Sequence, residues 1–590
     1  MRSVVIATIW CVLSGIGSAD DAIPDFAYLP RMVGVADRDL RAALQQNALT
    51  FTLQSRPPAS EIQLRRRVDA DLPYLRGVLE SRGYYGHSVD VDLDSGQVPA
   101  VVTFDIRTGP QYTLASIDVE LIDVADDPTD VRPPRSSLKP GHPATVPDIL
   151  AEEKRMVRVM RQRGFPFAEV VRRRTDIDHD RHTLTVHLGI SPGPRARFGG
   201  VDVEGLDTVR ESFVLKRLTW EPGDTYDERQ GDRLESRLLH SGLFSEARVE
   251  RAPALEPDGS LRLRVHVAER KHRTIRLGVG YRTDIGVGTR VFWEHRNVFR
   301  RGNRLRTSGT YSRIELSNET TFEISDFLRP EQSLVFGYRV GDDDPDAYFS
   351  RSAQFVVTLV MPIMATNYTL SVGAADKYSE VTQLGETDHF NLLFFPAVFE
   401  WDARNDRLDP QTGTQFVLGL TPFQDTNEAD LQFVRGIIGG SGFIRIPWWR
   451  SIVVALRANA GVIEGARRRQ IPADERFYSG GGGSVRGYEY QAVGQQIDGT
   501  PIGGKSLLEV STELRMRHTE SIGSVVFVDG GMVFAESVPS SDEELQWGAG
   551  LGFRYFTGIG PFRFDIAVPV NKRKGIDEDF QFYISLGQAF

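Results

Sequence analysis

One residue in 590 is cysteine, and that residue, Cys11, lies in the first nineteen positions. The chain beyond them is therefore expected to have no disulfides and no thiol chemistry. Long apolar runs are missing as well. After residue 19 none approaches the ~20 residues that a membrane-spanning helix requires. Positive charge is in deficit, with a net charge of -10 and a pI near 5.7, which argues against a general nucleic-acid binder. Histidine is scarce, 11 in all. His179 and His182 flank a polar turn, where solvated hairpin residues outweigh metal ligands. His295, His389 and His518 stand beside no nucleophile motif, so a serine-hydrolase arrangement has no support. The glycine run at 480–483 lacks the Lys-Ser/Thr ending of a phosphate loop. No enzyme is expected, and no nucleotide, metal or organic cofactor is implied.

The first residues address the compartment. Arg2 is followed by a short apolar run over 4–16 and by Gly17-Ser18-Ala19, the three regions of a secretory signal peptide assigned to 1–19. An exported chain with no spanning helix enters a membrane only as a closed β-barrel. The expected location is the bacterial outer membrane.

From about 25 to 270 the chain repeats at a period near eighty residues, giving expected domains at 24–110, 111–193 and 194–270. Leu79-Glu80-Ser81-Arg82-Gly83-Tyr84-Tyr85 corresponds to Met160-Arg161-Gln162-Arg163-Gly164-Phe165-Pro166 and to Leu239-His240-Ser241-Gly242-Leu243-Phe244. Each reads as a helix end, a C-capping glycine and an aromatic. Alternating stretches follow at 88–93, 168–173 and 247–250, then at 101–107, 183–190 and 261–267. New first strands are expected at 114–120 and 198–204, and amphipathic helices at 147–163 and 227–239. Each unit thus reads as strand, two helices, hairpin, an α+β arrangement. Its open sheet edge suits β-augmentation by an extended peptide, against the alternative of a mere spacer. Residues 126–134 read as a disordered excursion.

From 274 to 590 helical spacing disappears, and about sixteen strands separated by Gly, Asn and Asp turns run to the last residue. An even number suits a transmembrane antiparallel β-barrel. In the strand 505–517, Lys505, Glu509, Ser511, Glu513, Arg515 and Arg517 share one parity, with Leu508, Val510, Thr512, Leu514 and Met516 on the other. One face suits a wet lumen, the other lipid. Trp448, Trp449, Trp401, Tyr338 and Tyr368 suit interfacial girdles or ordinary packing.

Within this half stands Phe477-Tyr478-Ser479-Gly480-Gly481-Gly482-Gly483-Ser484-Val485-Arg486-Gly487-Tyr488. Four glycines permit backbone turns and close approach that side chains forbid, and an arginine follows at once. With Val526-Phe527-Val528-Asp529-Gly530-Gly531, Gly548-Ala549-Gly550-Leu551-Gly552-Phe553-Arg554 and Gly560-Pro561-Phe562-Arg563-Phe564-Asp565, the chain resembles the bacterial superfamily of outer-membrane assembly barrels that includes BamA and TamA. Three N-terminal units, POTRA domains in that superfamily, look like its TamA branch. The ending at 581–590 also suits that branch, but no aromatic lies two residues before Phe590.

The resemblance implies a non-catalytic role for Val485, Arg486, Gly487 and Tyr488, with Arg486 in the lumen paired to Asp529 and to Glu513. A buried guanidinium needs such carboxylates, and its planar fork suits two of them. It also implies a lateral seam between strands 274–282 and 581–590, carrying Leu277, Gly278, Gly280, Ile584, Gly587 and Phe590. The glycines weaken strands or simply permit curvature. The implied function is insertion and translocation of β-barrel or autotransporter substrates in outer-membrane lipid, with a TamB-like, inner-membrane-anchored periplasmic partner. A lumenal secretion pore and the outer-membrane half of a lipid-transport bridge are the alternatives.

Overall fold

The computed structural model describes residues 26–590 except 125–130, 283–284, 364–366, 428–429, 448–450, 541–542, 559, 587 and 590. The signal segment with Cys11, the pair Trp448-Trp449, most of the 126–134 excursion, and the seam residues Gly587 and Phe590 lie outside the described residues. The chain divides into two compact units, and the boundary runs through the third N-terminal domain. One unit holds the chain up to Asp202 with Thr219–Arg233 and Val249–Arg264; the other holds Val203–Leu218, Leu234–Arg248 and Val265–Phe590.

Three small sheets order the N-terminal half. Tyr28–Val33 pairs in parallel with Ala100–Arg107, which pairs antiparallel with Ser88–Asp94. Thr113–Leu121 pairs in the same way with Thr183–Ser191, and that strand with Glu169–Asp178. In the third sheet Ser260–Glu269 lies between Arg197–Glu204 and Phe244–Arg251. The helices start and stop for local reasons. In Val146–Arg161, Thr145 Oγ1 accepts from Asp148 N at 3.3 Å, and a proline stands in the first turn. The helix Glu61–Ser81 ends where Gly83 turns to φ 86°, and Tyr84 N reaches back to Leu79 O at 2.9 Å. Gly164 and Gly242 repeat that turn at φ 105° and 73°. Helix and sheet close over apolar cores, Leu64, Leu75, Leu79, Val102 and Phe104 in the first domain, Met156, Met160, Leu184 and Val186 in the second.

The expectation of two helices per unit fails in the second domain, where Val146–Arg161 is the one helix among the described residues before its hairpin. A carboxylate does the holding instead. Buried Glu152 accepts from Ser137 N and Oγ at 2.6 Å and from Arg155 Nε at 2.8 Å, pinning the coil that precedes the helix. Burial opposes ionisation of Glu152, but the bonds from Arg155 and Ser137 outweigh it and bring its pKa down to about 2. A depressed carboxyl pKa stabilises above the ordinary glutamate value, and this contribution disappears as pH falls from about 4.5 toward 2.

The second unit contains a closed antiparallel barrel of sixteen strands. They are β1 Arg273–Arg282, β2 Gly286–Val298, β3 Asn303–Tyr311, β4 Glu315–Ser325, β5 Ser333–Asp343 and β6 Phe349–Pro362. Next come β7 Tyr368–Gln383, β8 (Glu386–Phe394 continued by Ala397–Asp402), β9 Gly413–Asp425, β10 Gln432–Arg445 and β11 Ile452–Glu464. The wall closes with β12 Ser506–Arg517, β13 Ile522–Phe534, β14 Gln546–Thr557, β15 Gly560–Pro569 and β16 Gln581–Leu586. The last strand stops at Leu586 rather than running to the terminus, and Gln588 and Ala589 are outside it. Parity sorts the faces. In β12 Glu509, Ser511, Glu513 and Arg515 are buried, whereas Leu514 is exposed, as a wall with lipid on one side requires. Tyr338 is 48 % exposed, and Tyr368 stacks on Phe399 at 5.6 Å and tilts against Trp401 at 6.2 Å.

Because the strands alternate, every turn from an even to an odd strand lies at the end where the chain enters β1. At that end the turn after β2 is tied to residues 207–210. Arg300 Nε and Nη2 donate to the carbonyls of Thr208 and Asp207 at 2.8 and 3.0 Å. Asn297 Nδ2 donates to Thr208 Oγ1 at 3.2 Å. Glu269 holds the same segment by accepting from the backbone N–H groups of Asp207, Thr208 and Val209.

Candidate functional site: the lumenal arginine and the seam

The connection from β11 to β12, residues 465–505, is the longest in the barrel and turns inward. Its glycines make this possible. Gly480, Gly481 and Gly487 adopt φ of 110°, 96° and 101°, and a Cβ on Gly482 would stand 2.8 Å from the ring of Tyr583. Val485 and Tyr488 pack with Val493, Met532 and Phe534, so the loop has a small apolar core of its own.

Between Val485 and Gly487 the side chain of Arg486, 2 % exposed, enters a set of carboxylates. Its Nε and Nη2 donate to Asp529 Oδ2 and Oδ1 at 2.6 and 2.9 Å, and its backbone N to Oδ2 at 3.1 Å. Its Nη1 donates to Glu513 Oε1 at 2.7 Å and to Asp565 Oδ2 at 3.1 Å. The guanidinium carbon lies 3.4 Å from the ring centroid of Phe527. Ser511 Oγ donates to Asp529 at 2.5 Å, Arg515 pairs with Glu513 at 2.7 Å, and Arg554 pairs with Asp565. All three carboxylates are fully buried, so each depends on this network for its charge.

The sequence reading did not single out Asp565. Parity carries the missing signal: in β15, Arg563 and Asp565 alternate with outward Phe562 and Ile566. It missed the purpose of Gly548, Gly550 and Gly552 too. These share the inward face of β14, and side chains there would collide with the loop and its anchor. A Cβ would lie 1.8 Å from Arg486 O at Gly548, 2.4 Å from Phe527 at Gly550 and 2.3 Å from Asp565 at Gly552. Two further anchors fasten the loop. Lys377 Nζ pairs with Asp474 and Glu475 at 2.8 and 2.6 Å. Glu509 accepts from Ser479 Oγ at 2.9 Å and from Ser484 Oγ.

The seam contrasts with this. On its other edge β1 pairs continuously with β2, from Arg273–His295 to Arg282–Gly286. Toward β16 the described pairs are Tyr281–Ile584 and Arg282–Tyr583. Leu277, at 71 % exposure, therefore lies four residues below the residue facing Ile584, and Gly278 and Gly280 have no described β16 partner. One residue joins the two regions. Tyr583 is fully buried; its Oη accepts from Gly487 N at 3.1 Å and donates to Tyr488 O at 3.2 Å. The loop that carries Arg486 thus rests on the last strand at the seam.

A closed sixteen-stranded barrel, charged inside and apolar outside, with an arginine-anchored loop in its lumen and small α/β domains before it, defines an outer-membrane barrel with periplasmic POTRA-like domains. Residues 297–590, most of the barrel, match the Omp85 superfamily domain. The chain is 25 % identical over 519 residues to the outer membrane protein assembly factor BamA of Nitratidesulfovibrio vulgaris, covering 83 % of this chain and 64 % of that protein. It is 20 % identical over 584 residues to BamA of Neisseria meningitidis serogroup B, covering 88 % of this chain and 72 % of that one. The crystal structure of BamA from Haemophilus ducreyi lacking POTRA domains 1–3 superposes with a TM-score of 0.68 at 16 % identity, over 80 % of this chain and 99 % of that one. That likeness is one of fold.

Proposed function

We propose that this protein is an outer-membrane assembly factor, helping β-barrel and autotransporter substrates to insert and translocate through the β1–β16 seam. The observation that carries the reading is the seam itself, two described residue pairs in a wall whose other junctions are long. An unpaired strand edge in lipid leaves backbone donors and acceptors without partners, and a substrate strand supplies them. The energy comes from strand pairing and apolar burial in the substrate. Similarity to proteins named assembly factors supports the reading. Three α/β units before the barrel favour the TamA branch, with a TamB-like periplasmic partner and POTRA-like domains that dock partner or substrate. Arg486, with Glu513 and Asp529, serves structurally in this reading, holding the loop so that the barrel stays rigid while the seam yields.

The test uses the absence of cysteine beyond Cys11. Ile584 faces Tyr281, so the pair Tyr281→Cys and Ile584→Cys is in register. Oxidation of that pair is expected to stop autotransporter assembly, and reduction to restore it. Full assembly with the seam locked would refute the gate and favour passage through the lumen or transport along the POTRA-like domains.

A further inference from the structure

Lysine is rare in this chain, eight of the 70 basic residues. One of them, Lys377 in β7, is buried where the inward loop meets the wall. Its surroundings are apolar. Leu392 faces it on β8, and Leu392, Ala375, Phe390 and the loop residue Ile471 belong to one apolar cluster. Into this setting a single 3-10 turn, Ala473–Glu475, delivers two carboxylates in succession. Lys377 Nζ donates to Asp474 Oδ2 at 2.8 Å and to Glu475 Oε1 at 2.6 Å.

The two carboxylates are not equivalent. Asp474 Oδ2 accepts from Ser350 Oγ at 2.8 Å, while its buried Oδ1 has no hydrogen-bond partner among the described residues. Glu475 has a cation besides Lys377, since Arg435 Nη1 lies 3.5 Å from its Oε2. The one described ion pair of Asp474 is with Lys377. The Arg486 cluster resembles this one in burial and charge, but a guanidinium does not give up its proton, so that anchor stays ionic. A buried lysine amine does exchange its proton.

We infer that Lys377 and Asp474 join in an intramolecular isopeptide bond, a covalent rivet between β7 and the loop, with Glu475 moving the protons. The ammonium gives one proton to Asp474, leaving a neutral amine beside a neutral acid. Nζ then bonds to Cγ of Asp474. Glu475 takes a second proton from Nζ and passes it to the departing hydroxyl, which leaves as water. Glu475 ends ionised, as it began, and the amide nitrogen keeps one hydrogen. The fold supplies the proximity, and a desolvated lysine beside a proton-transfer group acts as a nucleophile. Burial favours the product, because an ion pair out of water carries a desolvation penalty that a neutral amide does not. The rivet goes beyond the assembly reading, since it fixes the loop whatever crosses the seam.

The full chain is refolded from urea into detergent micelles, then denatured, digested with trypsin and read by mass spectrometry. An acylated Lys377 blocks cleavage there. The folded protein is therefore expected to yield a branched peptide joining residues 352–404 to 470–476, lighter than the two together by one water. The chain kept in urea should give the separate peptides ending at Lys377 and Arg476. Lys377→Arg keeps a cation without an amine, and Asp474→Ala removes the acceptor; each is expected to abolish the branch. Glu475→Gln is expected to slow its appearance by about 100-fold or more, with heat-modifiable mobility reporting that the barrel has formed. Separate peptides alone from folded wild-type protein would overturn the bond. A branch surviving in Lys377→Arg would overturn the assignment of the amine, and an unchanged rate in Glu475→Gln would overturn the proton-transfer role.

Discussion

Around Arg486 five hydrogen bonds join one loop residue to three strands of the wall. At the seam two described residue pairs join the first strand to the last. Both regions belong to one sheet, and they differ in where the polar groups go. Around Arg486 each of the three carboxylates has a cation, and removing either partner leaves a buried charge. At the seam Arg273–Gly280 have no described β16 partner, and in the proposed reading an incoming strand supplies one. A barrel that concentrates its binding energy inside one part of its wall can leave another part weakly closed without coming apart.

The largest expected effect breaks the strong side. Arg486→Ala leaves Glu513, Asp529 and Asp565 short of a cation and is expected to cost about 3–5 kcal/mol. The readout is loss of the folded, heat-modifiable band at lower urea than wild type. Arg486→Lys, a point charge without the fork, should recover only part of it. An unchanged urea midpoint would mean the network does not hold the barrel. Gly548→Ala comes next, because its Cβ would sit 1.8 Å from Arg486 O. Overpacking of this kind costs about 1–3 kcal/mol, and the same urea series measures it.

Tyr583→Phe then tests the link between the regions. Losing the hydroxyl that serves Gly487 N and Tyr488 O should cost roughly 1 kcal/mol. Hydrogen exchange should quicken at Tyr281 and Arg282 and stay unchanged in β5 and β6. Uniform acceleration around the wall would sever the proposed coupling. The smallest effect is on the weak side. A Cβ at Gly280 meets nothing within 4 Å, so Gly280→Ala is expected to be neutral or to stabilise by a few tenths of a kcal/mol, up to about 1. If it instead destabilised as much as Gly548→Ala, the contrast between lumen and seam would fail.

Much of this was legible in the residues. Strand parity in β12 separated the lumenal set from the lipid set, because a period of two follows directly from the pleat. The glycines at 83, 164 and 242 marked the repeat, since each closes a helix with positive φ. The resemblance implied Asp529 and Glu513 as partners of Arg486, the need of a buried guanidinium for carboxylates agreed, and both lie within reach of it. The rest depends on register and on residues distant in sequence. No local pattern tells that Ile584 faces Tyr281 rather than Leu277, because register in a closed wall is set by the shear of all sixteen strands together.

Composition and periodicity by themselves therefore determined the class of fold: α/β repeats, then a barrel with a charged interior and a glycine-rich loop carrying one arginine. Tertiary structure alone decided that Asp565 is the third carboxylate, that Gly548, Gly550 and Gly552 clear space for the loop, and that Tyr583 ties it to the seam. These are meetings of segments that are far apart in the chain. Their geometry exists once the barrel closes, and no stretch of sequence contains it.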